Sequence, residues 1–242
     1  MSTPEFRRPH HQRIARVLQA LDGPLLRDHG CLFGGGTCIA LRFGEYRESV
    51  DVDFIVSDLQ GYRGLRQLLT GPQGLTAVTQ AGAIALVGTR EVRADQYGIR
   101  TQVQMDGHPI KLEVVLEARV SLDEPGPTDA VCGISTITQR DMATTKLLAN
   151  SDRQADDGVF NRDVIDLAMM DLKLPVVRDA LAKAAGAYGP AVARDLARAI
   201  DRMRNRPGWL ERCMQAMAMD SPKALLLQKI RALQRALPKS AA

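Results

Sequence analysis

The 242-residue chain predicts an α+β fold, a small mixed sheet flanked by helices and followed by a C-terminal helical bundle. Three observations lead there. Apolar and polar residues alternate at Asp51 to Val56, Gly98 to Met105 and Ile110 to Leu116, the period of two that marks a strand with one buried face. Beyond Asp129 the apolar spacing turns helical and stays so to the end. Between the two regimes lies a loop, Ser121 to Asp129, carrying Pro125, Gly126 and Pro127. The predicted division is a core lobe at 1–129 and a helical lobe at 130–242.

Each element has its own signal. From about Pro9 to His29, Ile14, Val17, Leu18 and Leu21 recur at helical spacing, with Arg13, Arg16 and Gln19 elsewhere, which predicts an amphipathic helix. Cys31-Leu32-Phe33 predicts a short buried strand, and Thr37 to Phe43 a brief helix stopped by Gly44. Helix is expected at Leu59 to Leu69, before the breaker Gly71-Pro72-Gln73-Gly74. Further strands are expected at Ala83 to Val87 and Gly98 to Met105, with Asp106-Gly107 as a hairpin turn returning into Ile110 to Leu116. Thr138-Gln139-Arg140-Asp141 has capping-box spacing and starts a helix to about Asn150. Another should run from Gly158 to Leu172 and end at Pro175. Three more follow: Val176 to Asn205 with a break at Gly189-Pro190, Trp209 to Met219, and Lys223 to Leu237.

Composition bounds the class. With 45% hydrophobic and 25% charged residues the chain has the make-up of an ordinary globular protein. No apolar run approaches the roughly 18 residues of a membrane span, and the opening Met1 to Arg8 has no apolar signal-peptide stretch behind it, so a cytoplasmic protein with no membrane association is expected. Cys31, Cys38, Cys132 and Cys213 form no C-x-x-C pair and read as buried free thiols. The net charge of +4 is unevenly spread: residues 178–242 carry 13 Lys and Arg against 5 Asp and Glu, leaving 19 against 23 for the rest. Arg194, Arg198 and Arg202 fall every four residues, with Arg204, Arg206 and Arg212 behind them. That cationic face is either solvated helix surface or a polyanion contact.

The chemistry concentrates in Gly34 to Phe54. A glycine turn entering a helix lets backbone N–H groups approach phosphate oxygens without obstruction by Cβ atoms. Downstream, Asp51 and Asp53 share one face of a strand while Val52, Phe54 and Val56 take the other, so two hard oxygen ligands stand side by side, as Mg²⁺ requires. Glu113 falls mid-strand, where a carboxylate needs a reason; it is read as a third metal-site carboxylate, with Glu117 the weaker alternative on the same face. Arg47 suits either phosphate or a nearby carboxylate, and Ser49 caps the turn before the strand. Asp163 and Asp166 share a helix face, Asp163 also being placed as a first-turn acid. His10-His11 lacks spaced metal-ligand partners and reads as surface.

Gly35-Gly36-Thr37, Arg47-Glu48-Ser49-Val50-Asp51-Val52-Asp53-Phe54, Lys111-Leu112-Glu113, Lys146-Leu147-Leu148-Ala149, Arg153 and Arg162 to Leu167, in that order, resemble the AbiEii/AbiGii family within the nucleotidyltransferase superfamily of DNA polymerase β. Members are toxins of bacterial toxin–antitoxin systems, to which the MenT toxins are related. The resemblance covers roughly residues 30 to 170. It implies a nucleotidyltransferase sheet in the core lobe and a helical lobe that completes the active site. Gly35, Gly36 and Thr37 would hold the triphosphate, with Arg47, Ser49 and Lys146 as further nucleotide contacts. Asp51, Asp53 and Glu113 would bind Mg²⁺, two ions being expected and Mn²⁺ an alternative. Lys146, Asp163 and Asp166 would join the three metal carboxylates as catalytic residues. Thr37 keeps the hydroxyl where many polymerase-β relatives have serine.

The expected function is Mg²⁺-dependent transfer of a nucleotide from an NTP to RNA, to the tRNA 3′ end first of all, blocking translation, with a cognate antitoxin as partner. Two alternatives stand beside it. One is transfer to a protein or small-molecule hydroxyl; the other is a nucleotide-binding interaction module without turnover.

Overall fold

The structure, a computed structural model, describes residues 6–238. Met1 to Glu5, part of the stretch inspected for a signal peptide, lie outside the described residues. The chain divides into two compact units, Met1–Glu45 with Ser49–Thr138 and Tyr46–Glu48 with Gln139–Ala242. Each is taken by itself.

The first unit contains α1 (Pro9–Ala20), α2 (Gly23–Asp28), β1 (Leu32–Gly34), α3 (Gly35–Arg42), β2 (Val52–Val56), α4 (Leu59–Thr70), β3 (Val87–Ala94), β4 (Gly98–Met105) and β5 (His108–Leu116). The strands form one mixed sheet in the order β1-β2-β5-β4-β3, with only β2 and β5 parallel. Alternation fixes which side is buried. Val52, Phe54 and Val56, Ile99, Val103 and Met105, and Ile110, Leu112 and Val114 are all buried, leaving Asp53, Arg100 and Glu113 at the intervening positions. Ile14, Leu18 and Leu65 complete the core from α1 and α4, and the rings of Phe33 and Phe54 meet at 5.7 Å.

Three departures from expectation have local causes. The Pro9-to-His29 helix breaks at Leu21, which bridges to Thr79, and restarts behind Asp22, whose side chain caps the Leu25 N–H ahead of α2. The strand expected at Ala83 to Val87 lies instead at Val87–Ala94. That strand is a solvent-exposed edge rich in charge, so it lacks the apolar alternation that would reveal it. A two-stranded hairpin, β6 (Ala130–Val131) with β7 (Ile134–Ser135), occupies the stretch after Asp129 where helical spacing was read, ahead of the helix expected from Thr138.

The second unit is built from α5 (Gln139–Arg153), α6 (Arg162–Met169), α7 (Leu174–Tyr188), α8 (Ala191–Asn205), α9 (Trp209–Ala216) and α10 (Lys223–Leu233). Small residues Ala180 and Ala184 on α7 are fully buried, so this helix approaches its neighbours closely. Helix α6 starts only at Arg162 because Phe160 and Asn161 both take left-handed backbone angles. Pro175, expected to end that helix, begins the next, since the first turn needs no proline N–H. The described cysteines are all unpaired; burial pushes Cys132 up to about 11 and Cys213 up to about 12, so both stay thiols at neutral pH. No helix among the described residues is long and apolar enough to cross a membrane.

Candidate active site

In the first unit the glycine turn meets Asp53 of β2, with Asp51 just ahead of that strand. Gly34 pairs with Asp53 across β1 and β2, and the chain then turns through Gly35 at φ +68°. A Cβ at Gly35 would lie 2.6 Å from Asp53 Oδ2, so glycine is required twice over, by backbone angle and by space. Helix α3 starts here, its N-cap residue Gly34 supplying no side-chain cap, so the positive end of the helix faces the Asp53 carboxylate.

A buried relay props this turn. Thr37 donates its hydroxyl to Ser49 Oγ at 2.8 Å, and the Ser49 N–H donates to His11 Nε2 at 3.1 Å. Because that amide can only donate, Nε2 is the accepting nitrogen and Nδ1 carries the proton to Glu45 Oε1, 2.8 Å away. Glu45 also accepts from the Arg7 and Arg8 N–H groups. Burial opposes its charge, but these donors and the His11 ring outweigh it and hold the Glu45 pKa below the ordinary value. His11 is therefore fully buried, where the sequence suggested surface. Its signal was available: His11, Ile14 and Leu18 lie on one helical stripe.

Asp53 stands in register with Glu113 on β5, and Glu113 in turn with Arg100 on β4. The Glu113 carboxylate receives Arg100 Nε at 2.6 Å and Lys111 Nζ at 2.5 Å. The hydrogen bond to Glu113 is the chief cause of a raised Lys111 pKa; burial works against it, and the fields of Glu113, Asp51 and Asp53 add to it. A cation is thus already drawn to the aspartates. Among the described residues no group of three or more His, Cys, Asp or Glu stands close enough together to hold a metal ion. Glu117 is buried and its carboxylate grips Arg119, at 2.9 Å from Nε and 2.7 Å from Nη2.

In the second unit Lys146, Asp163 and Asp166 do come together. Lys146 Nζ lies 3.1 Å from Asp163 Oδ1 and 2.7 Å from Asp166 Oδ2, all three side chains being buried. Arg153 binds Asp163 through Nε at 2.7 Å and Nη2 at 2.9 Å. Arg47 binds Asp166 through Nε and Nη2, at 2.7 and 3.0 Å, and Tyr46 donates its hydroxyl to the same carboxylate at 2.6 Å. The remaining Arg47 nitrogen donates to the Glu48 carbonyl, so of its two sequence readings the structure displays the carboxylate partner. Burial opposes the charges of both aspartates. Arg47 and Lys146 around Asp166, and Lys146 and Arg153 around Asp163, overcome that and lower both pKa values.

The family described as nucleotidyl transferase AbiEii toxin, type IV toxin–antitoxin system, matches residues 16–239. The chain belongs to this family. As an AbiEii-family member it is a nucleotidyltransferase toxin, with a nucleotide as substrate class and an antitoxin as partner class. Two crystal structures from Helicobacter pylori are similar to it. One, of a protein assigned as a nucleotidyltransferase, has 15% identity, a TM-score of 0.49, and coverage of 94% of each chain. The other, JHP933, has 14% identity and a TM-score of 0.49 over 99% of this chain and 97% of that one. No curated protein matches by sequence.

The basic C-terminal face of this AbiEii-family chain is partly spent on its own fold. Arg202 and Arg206 both pair with Asp157, and Arg202, Arg206 and Arg212 all lie over the Trp209 ring, at 5.0, 4.3 and 5.7 Å. Trp209 itself donates to Asn161 Oδ1. These arginines build a cage around an aromatic anchor.

Proposed function

We propose that this toxin transfers a nucleotide from an NTP to an RNA hydroxyl, the tRNA 3′ end being the first acceptor to examine, with Mg²⁺ or Mn²⁺ as cofactor. One observation carries the reading: the start of helix α3, entered through the glycine turn, is pressed against Asp53, so an anion-suited helix end and a strand carboxylate stand together. Asp51 and Asp53 carry the oxygen donors that a hard divalent ion takes, while Glu113 is held by Arg100 and Lys111 and would have to exchange those partners to join them. Such an ion, when bound, supplies charge neutralisation for the triphosphate and lowers the pKa of the attacking hydroxyl.

The chain's own groups do the rest. N–H groups at the start of α3 bind the phosphates, and Gly35 lets them approach. The Thr37, Ser49, His11 and Glu45 relay holds that turn in place. Lys111 neutralises the carboxylates while no nucleotide is present. In the reaction the acceptor oxygen forms a bond to the α-phosphorus as the bond to pyrophosphate breaks, and the acceptor proton leaves to a carboxylate or to water. Lys146, Asp163 and Asp166, which meet within the second unit, are proposed as further catalytic residues.

Incubation with each α-labelled NTP, Mg²⁺ or Mn²⁺, and total RNA tests the proposal. Label in tRNA is the expected result. Label in protein or a small product instead, or nowhere, rejects RNA as the acceptor.

A further inference from the structure

Edge strand β3 carries two register shifts against β4, between Gly88 and Arg90 and again between Arg90 and Arg93. In a regular strand residues three apart face opposite sides. The second shift cancels that: Arg90 stands opposite Gln102 and Arg93 opposite Arg100, two positions on the same face of β4. Through β4 and β5 these rows continue to Lys111 and Glu113, and Glu113 is the register partner of Asp53. The irregularity therefore turns both arginines onto the carboxylate side of the sheet.

A cavity of about 530 Å³ opens there, lined by Arg90, Arg93, Arg100, Lys111 and Gln102, with Glu91 as its one acidic lining residue. Arg90 and Arg93 are exposed, and among the described residues neither guanidinium has a hydrogen-bond or ion-pair partner. Arg100 and Lys111 are bound to Glu113 on the side toward Asp53. Two unpaired guanidinium groups aimed at one open groove suit a chain of phosphates, because each fork can take a phosphate through two N–H donors. Three strand spacings, roughly 14 Å, separate Arg93 from Asp53, so the groove lies outward of the phosphate cradle at Gly35.

We propose that this groove binds the phosphodiester backbone of the acceptor RNA and leads its terminal hydroxyl toward Asp53. The inference rests on the RNA-transfer reading above and places the acceptor on the sheet, not on the basic C-terminal helices. The test is direct binding by the full chain of a labelled short single-stranded RNA with a free 3′ hydroxyl, beside separate titration with NTP and Mg²⁺. The variants are Arg90→Glu/Arg93→Glu and, as a milder pair, Arg90→Gln/Arg93→Gln; if the glutamate pair fails to fold, the glutamine pair decides.

RNA affinity should fall roughly tenfold in the glutamine pair. The slope of log affinity against log salt should shrink by about 1.4, because two phosphates of a single strand are no longer neutralised by the protein. NTP affinity should stay at the wild-type value. Wild-type RNA binding in both variants overturns the groove, as does an equal loss of NTP and RNA binding, which would assign the arginines to the triphosphate. RNA transfer by the wild type with no effect of the variants removes the groove and leaves the reaction standing. Loss of RNA binding in the variants, in a protein that transfers no nucleotide to RNA, keeps the groove and removes the reaction.

Discussion

Gly35 and Asp53 are coupled residue to residue, and the coupling makes a sharp expectation. Gly35→Ala places a Cβ where 2.6 Å separates it from the Asp53 carboxylate and forces alanine to φ +68°. Backbone strain alone costs about 1–3 kcal/mol. NTP binding by Gly35→Ala, measured by titration, should be lost while thermal unfolding drops only modestly; wild-type affinity would separate the turn from nucleotide recognition. Asp51→Ala and Asp53→Ala should each lower transfer by at least about 10²–10³-fold, the cost of removing one group that stabilises transition-state charge. Circular dichroism should show both variants folded, since neither aspartate is fully buried, Asp53 lying on β2 and Asp51 just ahead of it. Full activity in either would remove that aspartate from the site.

At the scale of elements, the Lys146, Asp163 and Asp166 cluster ties α5 to α6, with the Tyr46–Glu48 segment bound to the same carboxylate. Asp166→Ala would leave Arg47 and Lys146 buried without their shared counter-charge, a loss of about 3–5 kcal/mol that denaturant unfolding would register. The pH dependence has a fixed sign. Both aspartates have folded pKa values below the ordinary carboxylate value. Their stabilisation is complete above that ordinary value and is lost progressively as pH falls from it toward the lower folded values, so the melting temperature should drop steeply below about pH 5. A flat profile in that window would show the cluster contributes nothing.

The sequence disclosed those elements whose period is regular. Gly98 to Met105 forms a strand over the expected residues, because its alternation follows burial; β3 escaped because both its faces meet water. Asp51, Asp53 and the glycines were legible as a motif. The engagement of Glu113 by Arg100 was not, since it depends on cross-strand register between β4 and β5, whereas Lys111 shares the Glu113 face by the period of two. The bond from His11 to Ser49 spans 38 positions, and periodicity within α1 reports only that His11 is buried.

For the whole molecule, charge sets the long-range behaviour. A chain of net charge +4 with its excess in residues 178–242 should attract RNA, and affinity should decline as salt rises because phosphate binding releases counterions. Affinity independent of salt would contradict electrostatic recognition. The attraction is smaller than the arginine count suggests, since Arg202, Arg206 and Arg212 are already engaged around Trp209.

The path of the chain adds a constraint of another kind. It leaves the sheet unit at Glu45, lends Tyr46–Glu48 to the helices, and returns at Ser49, two residues ahead of Asp51. Cutting at Thr138 does not, therefore, yield a self-sufficient catalytic fragment: Tyr46 and Arg47 would be stranded, with the acid that receives them on the discarded piece. A protease or an engineer who severs the helices also slackens the thread that leads through Asp51 into β2.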